Sequence, residues 1–219
     1  MLSQQFHQAL EACPLIAIIR GVTPDEIDMV ANTLLEAGVR AIEIPLNSPV
    51  EPLKSIERLA QIMDDFGETT ICGAGTVLTP EQARSVQNAG GKIIVSPNCD
   101  PEIIRATIDR DLISVPGCLT PTEAFSALKA GARVLKMFPV ADFPARYLES
   151  LGAVVPKDIL TLAVGGITDT NMEAYWKAGA RGFGLGSNIY AAGDNASQIA
   201  DKARIMVDAA NRAKALGNL

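Results

Sequence analysis

What most constrains the fold of this chain is a two-part phrase that recurs along it. A helical stretch closes on Ala-Gly, at Ala37-Gly38, Ala89-Gly90, Ala130-Gly131 and Ala178-Gly179, and a short apolar run follows each within a few residues. Glycine just past a helix end takes the left-handed cap at little cost. The other half of the phrase opens helices. Thr23-Pro24-Asp25-Glu26, Ser48-Pro49-Val50-Glu51, Thr79-Pro80-Glu81-Gln82 and Thr120-Pro121-Thr122-Glu123 each place Ser or Thr at the cap and Pro at the first helical position. Each then has Glu or Gln where a capping box closes. Strand and helix therefore alternate throughout. Strands are predicted at residues 15–20, 41–45, 70–76, 93–96, 112–116, 134–139, 160–165 and 182–186. A helix precedes the first, and a long helix over 196–216 follows the last. Short, mostly apolar strands are the mark of a parallel sheet buried on both faces.

About eight such units in 219 residues predict a (β/α)8 barrel, the TIM-barrel architecture, with an additional N-terminal helix and one domain over 1–219. A doubly wound open sheet is the competing architecture, although no dinucleotide fingerprint follows the first strand. Hydrophobic residues make up 48% of the chain, ample for one sizeable core. The formal net charge of -6, with the two signs interspersed, offers no basic face to nucleic acid. The apolar runs are strand-sized, too short to cross a membrane, and no basic segment leads into an apolar run at the N-terminus. Cys13, Cys72, Cys99 and Cys118 form no CxxC pair. A cytoplasmic protein with free thiols is expected. The single histidine is His7. A catalytic zinc site usually recruits two or three histidines or closely spaced thiolates, so neither a metal nor a cofactor is expected.

In such a barrel, chemistry collects at the C-terminal ends of the strands. Two charged residues there interrupt apolar strands. Lys136 lies in Val134-Leu135-Lys136-Met137-Phe138-Pro139. Apolar surroundings disfavour the ammonium form and free the amine as a nucleophile. The competing reading is an outward lysine snorkelling between helices. Glu43 lies in Ala41-Ile42-Glu43-Ile44-Pro45, placed to act as general acid or base. Its plainer alternative is a buried ion pair with Lys136 or Arg20. The last two strands end in Val164-Gly165-Gly166 and Gly184-Leu185-Gly186-Ser187, where such barrels commonly bind phosphate. Glycine lets backbone N–H groups approach an anion closely, though tight turns use it too. Arg20 offers a fork for a carboxylate or phosphate, and equally reads as a surface arginine. Thr76, after Gly73-Ala74-Gly75, offers a donor to a substrate oxygen or simply forms a turn.

At these residues the sequence resembles the pyruvate aldolases acting on 2-keto-3-deoxy-6-phosphogluconate and 6-phosphogalactonate. The likeness runs through Ile18-Ile19-Arg20-Gly21, Glu43-Ile44-Pro45-Leu46-Asn47-Ser48-Pro49, Gly73-Ala74-Gly75-Thr76-Val77-Leu78, Pro116-Gly117-Cys118, Lys136-Met137-Phe138-Pro139 and Ala163-Val164-Gly165-Gly166. The galactonate branch is the closer one. The gluconate branch typically has Thr-Leu-Arg-Thr where this chain has Pro45-Leu46-Asn47-Ser48, and Thr where it has Val164.

The resemblance implies a Schiff base on Lys136, proton transfer by Glu43, and a phosphorylated keto-deoxy sugar acid surrounded by Arg20, Thr76, Gly166, Gly186 and Ser187. It also implies retro-aldol cleavage to pyruvate and glyceraldehyde 3-phosphate, no metal, and a homotrimer. On this reading Val164 favours the galactonate epimer, since valine cannot hydrogen-bond the C4 hydroxyl. The same reaction with the gluconate epimer preferred is the alternative. A metal-dependent epimerase would want histidine and aspartate ligands that are lacking, and a non-catalytic phosphosugar binder would need neither Glu43 nor Lys136.

Overall fold

The structure is a computed structural model and describes residues 2–217. In chain order its elements are α1 (Leu2–Ala12), β1 (Leu15–Ile18), α2 (Ile27–Glu36), β2 (Ala41–Pro45), α3 (Pro52–Phe66), β3 (Ile71–Gly75), α4 (Pro80–Asn88), β4 (Ile93–Val95), α5 (Pro101–Ile108), β5 (Ile113–Val115), β6 (Gly117–Cys118), α6 (Pro121–Lys129), β7 (Val134–Met137), α7 (Ala145–Gly152), β8 (Leu160–Val164), α8 (Met172–Lys177), β9 (Gly182–Leu185) and α9 (Ala196–Ala215). All eight predicted strands are present, the long final helix included.

The strands form one parallel sheet in the order β5-β4-β3-β2-β1-β9-β8-β7-β6. Its two ends, β5 and β6, are separated in sequence only by Pro116. β5 pairs with β4, Val95 opposite Val115, while β6 pairs with β7, Gly117 opposite Lys136. The Pro116 carbonyl accepts from the Lys136 N–H at 2.9 Å. Proline has no N–H for a ladder, so the strand breaks there and changes partner across the break. The two segments thus fill one barrel position, and the sheet curls into the expected (β/α)8 barrel rather than an open doubly wound sheet.

Side chains alternate across the sheet and make two cores. The outer one lies between strands and helices and includes Ala17, Ile42, Ile44, Ala74, Leu135, Met137, Ala163 and Phe183. The inner one fills the barrel with Ile16, Ala41, Ile71, Ile93, Val95, Val115, Val134, Leu162 and Val164. Phe6, Ala9 and Leu10 of α1 join this inner core, and Phe6 is fully buried. The N-terminal helix therefore plugs the end of the barrel at which the strands begin. Burying a phenyl ring of this kind is worth roughly 1.5–3 kcal/mol.

Two of the four predicted helix starts form as full capping boxes, at Thr79 with Gln82 and at Thr120 with Glu123. The other two differ. The Thr23 N–H and hydroxyl donate to Glu26 Oε2 at 3.2 and 2.8 Å, but residues 24–26 are a turn and α2 begins only at Ile27. At Ser48 no cap forms. α3 begins at Pro52 after Glu51, whose φ of 35° is left-handed, and the Ser48 hydroxyl instead accepts from the Gly21 N–H at 3.0 Å.

Candidate active site

The strands end around a cavity of about 450 Å³. Every residue singled out from the sequence lines it: Lys136, Glu43, Arg20, Thr76, Val164, Gly165, Gly166, Gly186 and Ser187. They lie in two tiers. Glu43, Lys136 and Val164 are buried, while Arg20, Gly166 and Ser187 are exposed at the rim. Beneath the buried tier, Ile16, Val95, Val115 and Leu162 make an apolar floor.

Lys136 sits at an inward position of β7, 7% exposed, its Nζ 4.4 Å from the centre of the Phe138 ring. Removing an ammonium from water disfavours it, so burial depresses the Lys136 pKa; Glu43 opposes this and Arg20 adds to it. The ring face returns part of the lost solvation as a cation–π contact. The snorkelling alternative is thus not what the fold adopts, because the side chain points into the barrel.

Glu43 is 2% exposed on β2. Burial pushes its pKa up to about 7, against the lowering effects of Lys136, of Arg20 and of the Gly75 N–H. Its Oε2 is buried and has no hydrogen-bond partner among the described residues. A buried oxygen of this kind calls for a donor, which a ligand hydroxyl or water would supply. Among the described residues the ion pairs do not include one between Glu43 and Lys136. The two line one cavity without neutralising each other in direct contact. An amine whose pKa burial depresses and a carboxyl whose pKa burial raises to about 7 are the kinds of group that imine chemistry uses.

Thr76 follows β3 with φ 54°, a left-handed conformation uncommon outside glycine. Strain of this sort gathers where a site fixes a group in place. On the opposite wall, Gly166 has φ 76°, and a Cβ there would lie 2.6 Å from Ala141 Cβ. Around Gly186 nothing lies within 4 Å of where a Cβ would be, so the backbone is open towards the cavity. Two asparagines brace these loops. Asn171 Nδ2 donates to the Gly166 carbonyl at 2.9 Å, and Asn188 Nδ2 donates to the Ile167 carbonyl at 2.6 Å.

Among the described residues, no three or more His, Cys, Asp or Glu side chains gather as a metal cluster, and no helix is long and apolar enough to cross a membrane.

A family model for KDPG and KHG aldolase matches residues 6–206. The chain belongs to this aldolase family. The 2-dehydro-3-deoxy-6-phosphogalactonate aldolase of Escherichia coli (strain K12) is 44% identical over 196 residues, which span 90% of this chain and 94% of that one. A solved structure of native KDPGal is 44% identical, with a TM-score of 0.86 over 91% of this chain and 95% of that one. A KDPG aldolase from Legionella pneumophila, solved with pyruvate captured at low pH as a covalent carbinolamine intermediate, is 25% identical. Its TM-score is 0.75, over 94% of this chain and 96% of that one.

Sequence reasoning overlooked several residues that build this aldolase's cavity. Phe138 and Asn188 line it, and Asn171 braces one of its loops. Phe138 reads as core from sequence, and the asparagines read as turn residues. Only their position one or three residues past a strand end, or at a helix start, could have marked them.

Proposed function

We propose that this aldolase cleaves 2-dehydro-3-deoxy-6-phosphogalactonate to pyruvate and glyceraldehyde 3-phosphate through a Schiff base on Lys136. The observation that carries the proposal is the buried lysine lining the cavity beside a carboxyl whose pKa is raised to about 7. The free amine of Lys136 adds to the C2 ketone. Loss of water, its oxygen protonated by Glu43, gives an iminium ion. Glu43, now a carboxylate, removes the C4 hydroxyl proton directly or through water. The C3–C4 bond breaks, its electron pair flows into the iminium, and C4 leaves as the aldehyde of glyceraldehyde 3-phosphate. The remaining enamine takes a proton at C3, and water hydrolyses the iminium to release pyruvate and restore the amine. The keto end then lies in the buried tier. The phosphate lies at the rim against Gly165, Gly166, Gly186 and Ser187, where exposed backbone N–H groups suit an anion. Arg20 and Thr76 complete the wall. Val164, apolar where a threonine would offer a hydroxyl, supports the galactonate epimer as the preferred substrate.

The assembly proposed is a homotrimer in the cytoplasm. Leu53 in the first turn of α3, Leu78 before α4 and Phe125 in the early part of α6 are exposed apolar side chains at one end of the barrel, which subunit contact would cover. The free thiols Cys13, Cys72 and Cys118 are buried, as suits a reducing compartment.

Incubation with pyruvate and borohydride, followed by peptide mass spectrometry, tests the mechanism. A reduced pyruvyl adduct on Lys136 is expected. An adduct on another lysine, or none from an enzyme that cleaves substrate, would overturn it.

A further inference from the structure

Arg20 follows β1 at the rim of the cavity, exposed, on one of the longest and most flexible side chains. A guanidinium so placed has many rotamers, and ordering it costs conformational entropy. Yet its direction is set. Arg20 Nη1 donates to Asn47 Oδ1, from the loop that follows β2. The backbones of the two loops are clasped beside this contact. The Ile19 N–H donates to the Glu43 carbonyl at 3.0 Å, and the Gly21 N–H to the Ser48 hydroxyl at 3.0 Å. Ser48 is itself buried.

The chemistry of the acceptor matters as much as the contact. Among the described residues the ion pairs leave Arg20 out. An aspartate in place of Asn47 would hold the arginine and cancel its charge. An amide oxygen orients the guanidinium and leaves the full positive charge for an anionic ligand. That charge reaches the buried tier, since it acts on both Glu43 and Lys136.

We propose that Asn47 is a positioning residue that holds the Arg20 guanidinium, uncancelled, over the mouth of the barrel, so that affinity for the acidic substrate depends on this neutral tether. The inference rests on the aldolase reading above and adds a residue to it.

A double-mutant cycle tests it. Steady-state kinetics are measured for the wild type, Asn47→Ala, Arg20→Ala and the double variant. Asn47 is exposed, so its truncation spares the core. Asn47→Ala is expected to raise KM roughly five- to tenfold while changing kcat about twofold or less, the pattern of lost uniform binding. In the Arg20→Ala background the same substitution is expected to change nothing further. Arg20 lowers the pKa of both Glu43 and Lys136, so loosening it moves the kcat/KM profile of Asn47→Ala towards higher pH. Asn47→Asp keeps the acceptor but neutralises the arginine, and it is expected to raise KM at least as much as alanine does. An unchanged KM in Asn47→Ala, an equal effect with Arg20 absent, or near-normal affinity in Asn47→Asp would each overturn the proposal. Failure of the aldolase reading is separately visible, as a wild type that neither cleaves substrate nor traps pyruvate.

Discussion

Gly75 vacates the space that the Glu43 carboxylate occupies. A Cβ on Gly75 would lie 2.3 Å from Glu43 Oε2 and 2.4 Å from Oε1. The two residues are close neighbours on the paired strands β2 and β3, whose inward positions leave no room for two side chains there. Gly75→Ala must therefore push the carboxylate aside. With general acid–base catalysis worth roughly 10²–10⁴-fold, kcat is expected to fall by about 10²-fold. The borohydride-trapped pyruvate adduct should still fall on Lys136, because the nucleophile is untouched, but it should form more slowly, because Glu43 no longer protonates the departing water. A Gly75→Ala enzyme of near-normal kcat would show that Glu43 need not sit where it does.

The raised pKa of Glu43 also predicts how stability varies with pH. Its carboxyl titrates near 7 in the fold against 4.5 for an ordinary glutamate. Between those values the folded protein keeps a proton that the unfolded chain has released. Stability therefore falls as pH rises through this window, and the loss levels off above the folded value. Glu43→Gln removes the penalty. Its melting temperature should exceed that of the wild type at pH 8, and the difference should vanish below about pH 4.5. Equal stabilities across the range would mean that burial of this group carries no cost.

Substrate choice is expected to respond to Val164. Its methyl groups face β9, where a Cβ on Gly184 would come within 2.8 Å of Cγ2, and the side chain lines the cavity. Threonine has nearly the same shape and adds one hydroxyl. Val164→Thr should shift the ratio of kcat/KM towards the gluconate epimer several-fold, the equivalent of a net hydrogen bond of about 1 kcal/mol. The measurement is kcat/KM for both epimers in both enzymes. A wild type that prefers the gluconate epimer would refute the proposed substrate.

The electron sink in the proposed mechanism is the iminium nitrogen of Lys136, which leaves no step for a Lewis acid. Cleavage is expected to survive exhaustive treatment with EDTA. Loss of activity on chelation, restored by a divalent ion, would contradict this.

Much of the fold was readable because periodic signals and tertiary structure agree. The strands predicted at 41–45 and 182–186 match β2 and β9 to within a residue. The departures have physical causes. Ser48 carries a cap signature, but its hydroxyl is claimed by the Gly21 N–H of the neighbouring loop after β1, and a local pattern cannot reveal a competitor 27 residues away. The strand predicted at 112–116 ends at Val115, and nothing local shows that a further segment, β6, follows Pro116 and pairs with the opposite neighbour. In the candidate site, Lys136 and Glu43 stand out because charges in apolar strands demand a reason. Phe138 and Asn47 do not. One looks like core and the other like turn, and their contacts with Lys136 and Arg20 exist only in three dimensions.

The plug formed by α1 has a consequence for traffic through the site. With Phe6, Ala9 and Leu10 filling the far end, the barrel among the described residues is a vessel open where its strands finish. Whatever enters must leave by the same opening. In the proposed reaction pyruvate is tethered to Lys136 at the base, and the triose phosphate lies between it and solvent. The exit order is thereby imposed by architecture: the aldehyde departs first and the keto acid second. Added pyruvate should then re-enter and compete with substrate for the empty lysine, while glyceraldehyde 3-phosphate alone meets only a site still lacking its covalent partner.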